Sequence, residues 1–279
     1  MAEYTRSLFL QCLDEWRRYP EAFRKLPRDE QVSFLQRQGF ASLQDLLAHV
    51  AGWWEEADGI VRDRICGRER APRKYNLDAF NADSLARFRD TPEAELLGWY
   101  ESQRQRIAGT VSELTDEWIK IRTVYGWLDG VILEHLKEHG LDAPRFLVID
   151  TLRREWTGCL PLFNGLTPEQ KQAFLEKQGY PRFRDLLAHV VAWWEQGIRI
   201  IGTGTAEDPC QVEDVDAFNA AAVERFAKLD EGEVFASFER TRLVLLNLVG
   251  TVPDEIILKP NVQSWLRADV IDHYYEHGY

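Results

Sequence analysis

The chain is written twice. Asp45-Leu46-Leu47-Ala48-His49-Val50 returns as Asp185-Leu186-Leu187-Ala188-His189-Val190, each followed by a Trp-Trp-Glu, and Asp78-Ala79-Phe80-Asn81-Ala82 returns as Asp216-Ala217-Phe218-Asn219-Ala220. Trp16 pairs with Trp156, Phe34-Leu35 with Phe174-Leu175, Glu101 with Glu239, Arg104 with Arg242, and Trp127 with Trp265. The offset is 140 residues through the Trp-Trp-Glu (His49 to His189) and 138 afterwards (His135 to His273), so the halves differ by two residues in the connection between. Solenoid units of roughly 20 to 50 residues cannot stand alone. A half of this length can bury its own core and is an ordinary domain. The boundary is placed near Gly140 to Pro144, giving domains 1–142 and 143–279.

Apolar residues recur at three- and four-residue spacing and alternating β-branched runs are scarce, which predicts an all-α fold. The first half offers long helices near Thr5 to Phe23, Leu43 to Cys66, Pro92 to Leu114 and Gly126 to His139, with a shorter one over Leu77 to Phe88. The second offers Arg145 to Phe163, Phe183 to Ile201, Glu231 to Leu248 and Gln263 to His277. Four helices with one long crossover make a bundle, whose core is where facing helices build metal sites.

All six histidines fall into two matching triplets, His49 with His135 and His139, and His189 with His273 and His277. Residues i and i+4 share a helix face, so each H-x-x-x-H can serve one ion, with the third imidazole supplied by another helix. Three neutral imidazoles suit zinc, nickel, copper or iron rather than magnesium or calcium. They also leave coordination positions open for water or a thiol, the catalytic rather than the structural arrangement. Gly140 and Gly278 follow the last histidines, as glycine does past a helix end.

Both motifs also read H-x-x-E-H, the inverted zinc-protease pattern, which needs a further carboxylate ligand well downstream; only Gly278 and Tyr279 follow the second. Glu138 and Glu276 remain candidates for a general base or an outer acceptor. Asp45 and Asp185, one turn before His49 and His189, either orient an imidazole or cap a helix, and the Ser42-x-x-Asp45 spacing favours the cap. Trp53 and Trp193 are candidate pocket walls, and Asn81, Asn219, Arg104 and Arg242 recur at positions that could face the same cavity. The connection after the second helix carries Arg62, Arg64, Arg68, Arg70, Arg73 and Lys74 in one half against Glu207, Asp208, Glu213 and Asp214 in the other. It is either a solvated loop or a sign that the two pockets prefer ligands of different charge.

A formal net charge of −12, from 46 acidic against 34 basic residues, argues against general nucleic-acid or anionic-membrane binding. The first residues lack a signal-peptide core, and no stretch has the roughly 18 apolar residues of a membrane span. Cys12, Cys66, Cys159 and Cys210 show no short paired spacing and read as incidental thiols of a reducing compartment, so a cytoplasmic location is expected.

The Leu-Ala-His-x-x-x-Trp-Trp and H-x-x-x-H segments, in this order and on these helices, resemble the DinB/YfiT-like superfamily of four-helix bundles. With the Asp-Ala-Phe-Asn segment they are also similar to its ClbS/DfsB branch, which includes resistance proteins that inactivate a reactive natural product. The resemblance covers both halves and implies a tandem member with a left-handed, non-sequential helix arrangement. It implies His49, His135 and His139 as one metal triad, His189, His273 and His277 as another, and nickel or zinc as the ion. Relatives include bacillithiol- or mycothiol-dependent S-transferases and a maleylpyruvate isomerase, which implies a low-molecular-weight thiol and a small electrophile as partners. Members commonly dimerise, so two fused domains form an intrachain pseudo-dimer, itself monomeric or a homodimer. Fold does not fix chemistry. A metal-dependent transferase or hydrolase in detoxification, a sequestering protein that binds without turnover, and a structural bundle with vestigial sites all stand as expectations.

Overall fold

The computed structural model describes residues 2–68, 74–203, 212 and 214–277, which are helical with turns and short connections; no strand occurs among them. The chain divides into two compact units between Leu141 and Asp142. The first contains α1 (Ala2–Lys25), α2 (Arg28–Gln38), α3 (Leu43–Ile65), α4 (Leu77–Arg87), α5 (Glu93–Glu113), α6 (Asp116–Lys120), and α7 (Arg122–Leu128), which runs through a π-helical turn (Asp129–Glu134) into α8 (His135–His139). The second contains α9 (Arg145–Asp150), joined by a π turn (Thr151–Glu155) to α10 (Trp156–Gly165), and α11 (Pro168–Gln178), α12 (Phe183–Thr203), α13 (Val215–Phe226), α14 (Glu231–Thr251) and α15 (Asp254–Ile257). It closes with α16 (Pro260–Leu266), a π turn (Arg267–Asp272) and α17 (His273–His277). No helix among the described residues is long and apolar enough to cross a membrane.

In the first unit α5 packs on α1 and α3, and the α7–α8 helix packs on the same two, so four long helices close a ring. The second unit repeats the pairing, with α14 against α9 and α12, and the last helix against those same two. Two fully buried tryptophans meet in each core: Trp16 and Trp54 with centroids 5.8 Å apart, Trp156 and Trp194 at 5.0 Å, both edge-on. Burying one such ring is worth about 4 to 6 kcal/mol of gross transfer free energy, so these pairs anchor each core.

Local signals set the helix ends. Ser42 Oγ accepts the Asp45 N–H and donates to the Asp45 carboxylate, so Asp45 serves the cap of α3. Asp185 is instead held by Arg182 through two bonds of 2.8 and 2.9 Å, and neither acid is hydrogen-bonded to a histidine. Asn76 and Asp214 cap α4 and α13, and Thr167-Pro168-x-Gln170 forms a capping box for α11. Helices α2 and α11, which hydrophobic periodicity does not predict, stop at Gly39 (φ 77°) and Gly179 (φ 74°), a left-handed conformation that side-chain-bearing residues rarely adopt. Gly140 differs from expectation: it follows α8 but is extended (φ −66°, ψ 151°), and its N–H returns to the Leu136 carbonyl. Gly278 lies outside the described residues, as do Arg70, Arg73, Glu207, Asp208, Glu213 and Cys210.

The final π turn of each unit leads directly into its H-x-x-x-H pair. Inserting one extra residue into a helical turn frees a carbonyl and rotates everything after it, which is why such turns gather at functional sites. Trp54 Nε1 donates to the Val131 carbonyl (2.8 Å) and Trp194 Nε1 to that of Asp269 (3.0 Å), equivalent positions inside these two π turns. The second tryptophan of each Trp-Trp-Glu thus caps the irregularity that aims the histidines one turn later.

Candidate metal centres

In each unit three imidazoles converge. The ligand nitrogens of His49, His135 and His139 lie within 4.8 Å of one another, as do those of His189, His273 and His277. His49 Nε2 stands 3.2 Å from His135 Nε2, and His189 Nε2 stands 3.1 Å from His273 Nε2. Two nitrogens held about 2.05 Å from one ion at a near-tetrahedral angle are roughly 3.3 Å apart, so both pairs already stand at ligand spacing.

The far side of each ring decides whether these nitrogens carry lone pairs. Trp193 Nε1, which can only donate, bonds Asn219 Oδ1 at 3.0 Å, and His189 Nδ1 meets the same oxygen at 2.9 Å. The oxygen accepts from both, so His189 carries its proton on Nδ1 and Nε2 is bare. Gln178 Nε2 donates to the Glu276 carbonyl (2.8 Å), which turns its Oε1 to His277 Nδ1 at 2.7 Å and leaves His277 Nε2 bare as well. Gln38 Oε1 meets His139 Nδ1 at 2.6 Å, without the second bond that orients Gln178. Such outer partners fix the tautomer and orientation of metal-binding histidines. His49, His135 and His273 have no such bond on Nδ1, so across each short Nε2 gap one ring can donate to the other or both can share an ion. As ligands, this donor set fits a divalent transition ion.

The rings are also kept neutral. Burial pushes His49 and His189 down to about 4, with Asn81 and Asn219 opposing. His135 and His273 fall to about 3, through burial first and then the neighbouring histidines, and His277 falls to about 4 for the same reasons. Near neutral pH each of these imidazoles is available as a ligand without losing a proton.

The glutamates sit at the rim. Glu138 Oε2 is 3.7 Å from His139 Nε2, and Glu276 Oε2 is 4.0 Å from His277 Nε2. Their side chains are 62% and 67% exposed, open to water, while the low-polarity surroundings and an acid one turn earlier (Glu134, Asp272) push both carboxyls upward. A carboxylate at that distance from a ligand nitrogen is within reach of a molecule entering an open coordination position.

A cavity of about 1150 Å³ opens over the first triad, large enough for a drug-sized molecule. Trp53 and Asn81 line it, and Trp53 Nε1 donates to Asn81 Oδ1 (2.9 Å). Asn81 stands near enough to His49 to oppose the fall in its pKa, but His49 Nδ1 lacks the well-aligned bond that His189 Nδ1 makes to Asn219. Trp193 and Asn219 flank His189, with Trp193 packed on Phe218. Arg104 and Arg242 are a correction: they do not reach the triads. Arg104 pairs with Glu101 and donates to the Leu13 carbonyl, and Arg242 pairs with Glu239 and donates to that of Leu152, so both brace the first long helix of their unit.

Sequence reasoning missed Gln38 and Gln178, the aromatic residues after them, and Tyr75 and Trp127 in the cavity wall. Phe40 packs on His49 and His139, and Tyr180 on His189. The signal was present as a repeated Gln-Gly-aromatic at positions 38–40 and 178–180, a helix end presenting a polar side chain beside a left-handed glycine. Comparison of the chain with family models, with curated proteins and with solved structures finds no match.

Proposed function

We propose that each triad binds a nickel or zinc ion, and that the first unit is an enzyme joining a thiol, or water, to a small electrophile. The observation that carries this reading is the convergence of imidazole nitrogens at ligand spacing, with amides holding the opposite edges of His139, His189 and His277. When bound, such an ion is a Lewis acid that lowers the pKa of a thiol or water beside it. Glu138, at the rim and raised in pKa, is placed to take the proton that this nucleophile releases. Gln38 and Phe40 keep His139 and His49 in place during the reaction, and the cavity holds the electrophile over the triad while excluding water. The resemblance to DinB/YfiT-like proteins supports the same assignment, with detoxification as the role.

The aromatic lining of the cavity favours a second reading in which a reactive small molecule is bound and sequestered without turnover, as for the ClbS/DfsB type. Elemental analysis of untagged protein tests the metal first: two equivalents per chain are expected, falling to one in His135→Ala. Metal content unchanged by that substitution would overturn the site. Consumption of an electrophile such as 1-chloro-2,4-dinitrobenzene with a low-molecular-weight thiol, abolished by His135→Ala, separates enzyme from sequestering protein.

A further inference from the structure

Two features of the first cavity are not used by the metal site. Arg122, at the start of α7, lines the cavity with an exposed side chain that pairs with none of the described residues. Most other arginines near the core of this unit are already engaged: Arg62 and Arg106 hold the buried Asp58, Arg104 holds Glu101, and Arg87 holds Glu55. An arginine with no partner among the described residues, in a chain with twelve more acidic than basic residues, is a cation kept available. Lys74, also exposed, precedes the cavity residue Tyr75 and adds positive charge nearby.

The second feature is a rigid aromatic wall. Trp53, Tyr75 and Trp127 stand 5.4 to 6.3 Å apart by ring centroid, and two of them are pinned: Trp53 by Asn81, Tyr75 by Glu56 at 2.5 Å. Arg122 and His135 lie thirteen residues apart on one continuous helix, roughly 20 Å of rise. The cavity is therefore long, with a cation toward one end and the triad with Glu138 toward the other.

We propose that the first unit selects an extended, flat, unsaturated molecule carrying a carboxylate. Arg122 pairs with the anion, in the bidentate geometry that guanidinium and carboxylate share. Trp53, Tyr75 and Trp127 cover the flat body. The negative Glu138 disfavours the reverse orientation, so the uncharged end faces the triad. The second unit has Pro260 where Arg122 stands, so this selectivity belongs to the first half alone. The inference deepens the functional reading above, because it concerns the cavity over the same triad, but binding of the anion does not require the ion.

The test is calorimetric titration of the metal-stripped full chain with biphenyl-4-acetate and its uncharged isostere biphenyl-4-acetamide. Metal is removed so that the carboxylate cannot reach an ion. The acid is expected to bind at least about tenfold more tightly, the yield of one charge-assisted pair. Arg122→Ala should erase that ratio while leaving the amide unchanged, Arg122→Lys should restore part of it, and Trp127→Ala should weaken both probes. Equal affinities, no binding of either probe, or a ratio that survives Arg122→Ala would overturn the proposal. His135→Ala should leave the ratio intact, and wild-type protein that takes up no metal yet discriminates the two probes refutes the metal reading and upholds this one.

Discussion

The two units share one framework and differ in what surrounds their triads. In the first, Ala57 is fully buried on α3, and Trp127 stands half-buried in the cavity wall. In the second, the equivalent of Ala57 is Gly197, and Trp265 lies so close that a Cβ there would come within 2.0 Å of its indole. Trp265 is consequently 4% exposed, withdrawn into the slot that the missing methyl group leaves. One methyl group decides whether the repeated tryptophan serves a cavity or fills a core.

Differences next to the histidines run in the opposite direction. His189 Nδ1 is held by Asn219 at 2.9 Å, whereas Asn81 stands near His49 without closing the same bond. Val131 of the first unit is replaced by Asp269, whose carboxylate is 3.8 Å from His273 Nδ1 and is pushed up to about 7 by burial and by Glu276 and Asp272. The first unit instead ties its last helix down through Tyr19 Oη, which donates to the His139 carbonyl at 2.8 Å; its equivalent is Cys159, buried and too short to reach that far, its thiol pushed up to about 12. The first unit is built around access, the second around a more firmly held triad.

That contrast can be broken in several places. The largest effect is expected from His135→Ala and His273→Ala combined, which should abolish metal binding, while each alone removes one equivalent by plasma mass spectrometry. Gly197→Ala should cost about 2 to 4 kcal/mol in urea unfolding, because Trp265 must leave its slot. Its fluorescence should shift to the red, whereas Ala57→Gly should cost only about 1 kcal/mol. Gln178→Ala and Gln38→Ala should weaken metal binding by roughly 10- to 100-fold, measured by competition with a chelating dye. Asn219→Ala should weaken the second site by about tenfold and Asn81→Ala should weaken the first by less, since Asn219 alone makes a well-aligned bond to its histidine.

Acid sharpens the comparison differently. In the metal-free chain His49, His135, His189, His273 and His277 titrate near 3 to 4 when folded, against about 6.5 when unfolded. The unfolded chain takes up protons first, so stability falls as pH drops from about 6.5 to about 4. The slope is at most about 1.4 kcal/mol per pH unit for each ring. Chemical denaturation across that range should show the loss, and bound zinc should shift it to lower pH. A flat profile would mean the rings are not kept neutral by the fold.

Much of this was readable in the residues. The duplication, the all-α class, the placement of His49 and His189 on the second long helix and the i, i+4 pairs all follow from spacing. Helices α2 and α11 escaped because a helix with little of its surface buried carries no apolar stripe: Leu35 is the one buried residue of α2, and α11 has none. With them went Gln38 and Gln178, the partners that set the third histidine of each triad. The π turns were illegible because a one-residue insertion leaves local composition unchanged. Arg104 and Arg242 misled because recurrence marks any shared requirement, here a brace onto the first long helix.

Whether three imidazoles in each unit share one ion is tested most directly by X-ray absorption at the zinc edge, on protein loaded to two equivalents. Three imidazole nitrogens per zinc are predicted at about 2.0 to 2.1 Å, with the remaining position filled by a light, exchangeable atom. A spectrum with one histidine or none per zinc would contradict the shared site.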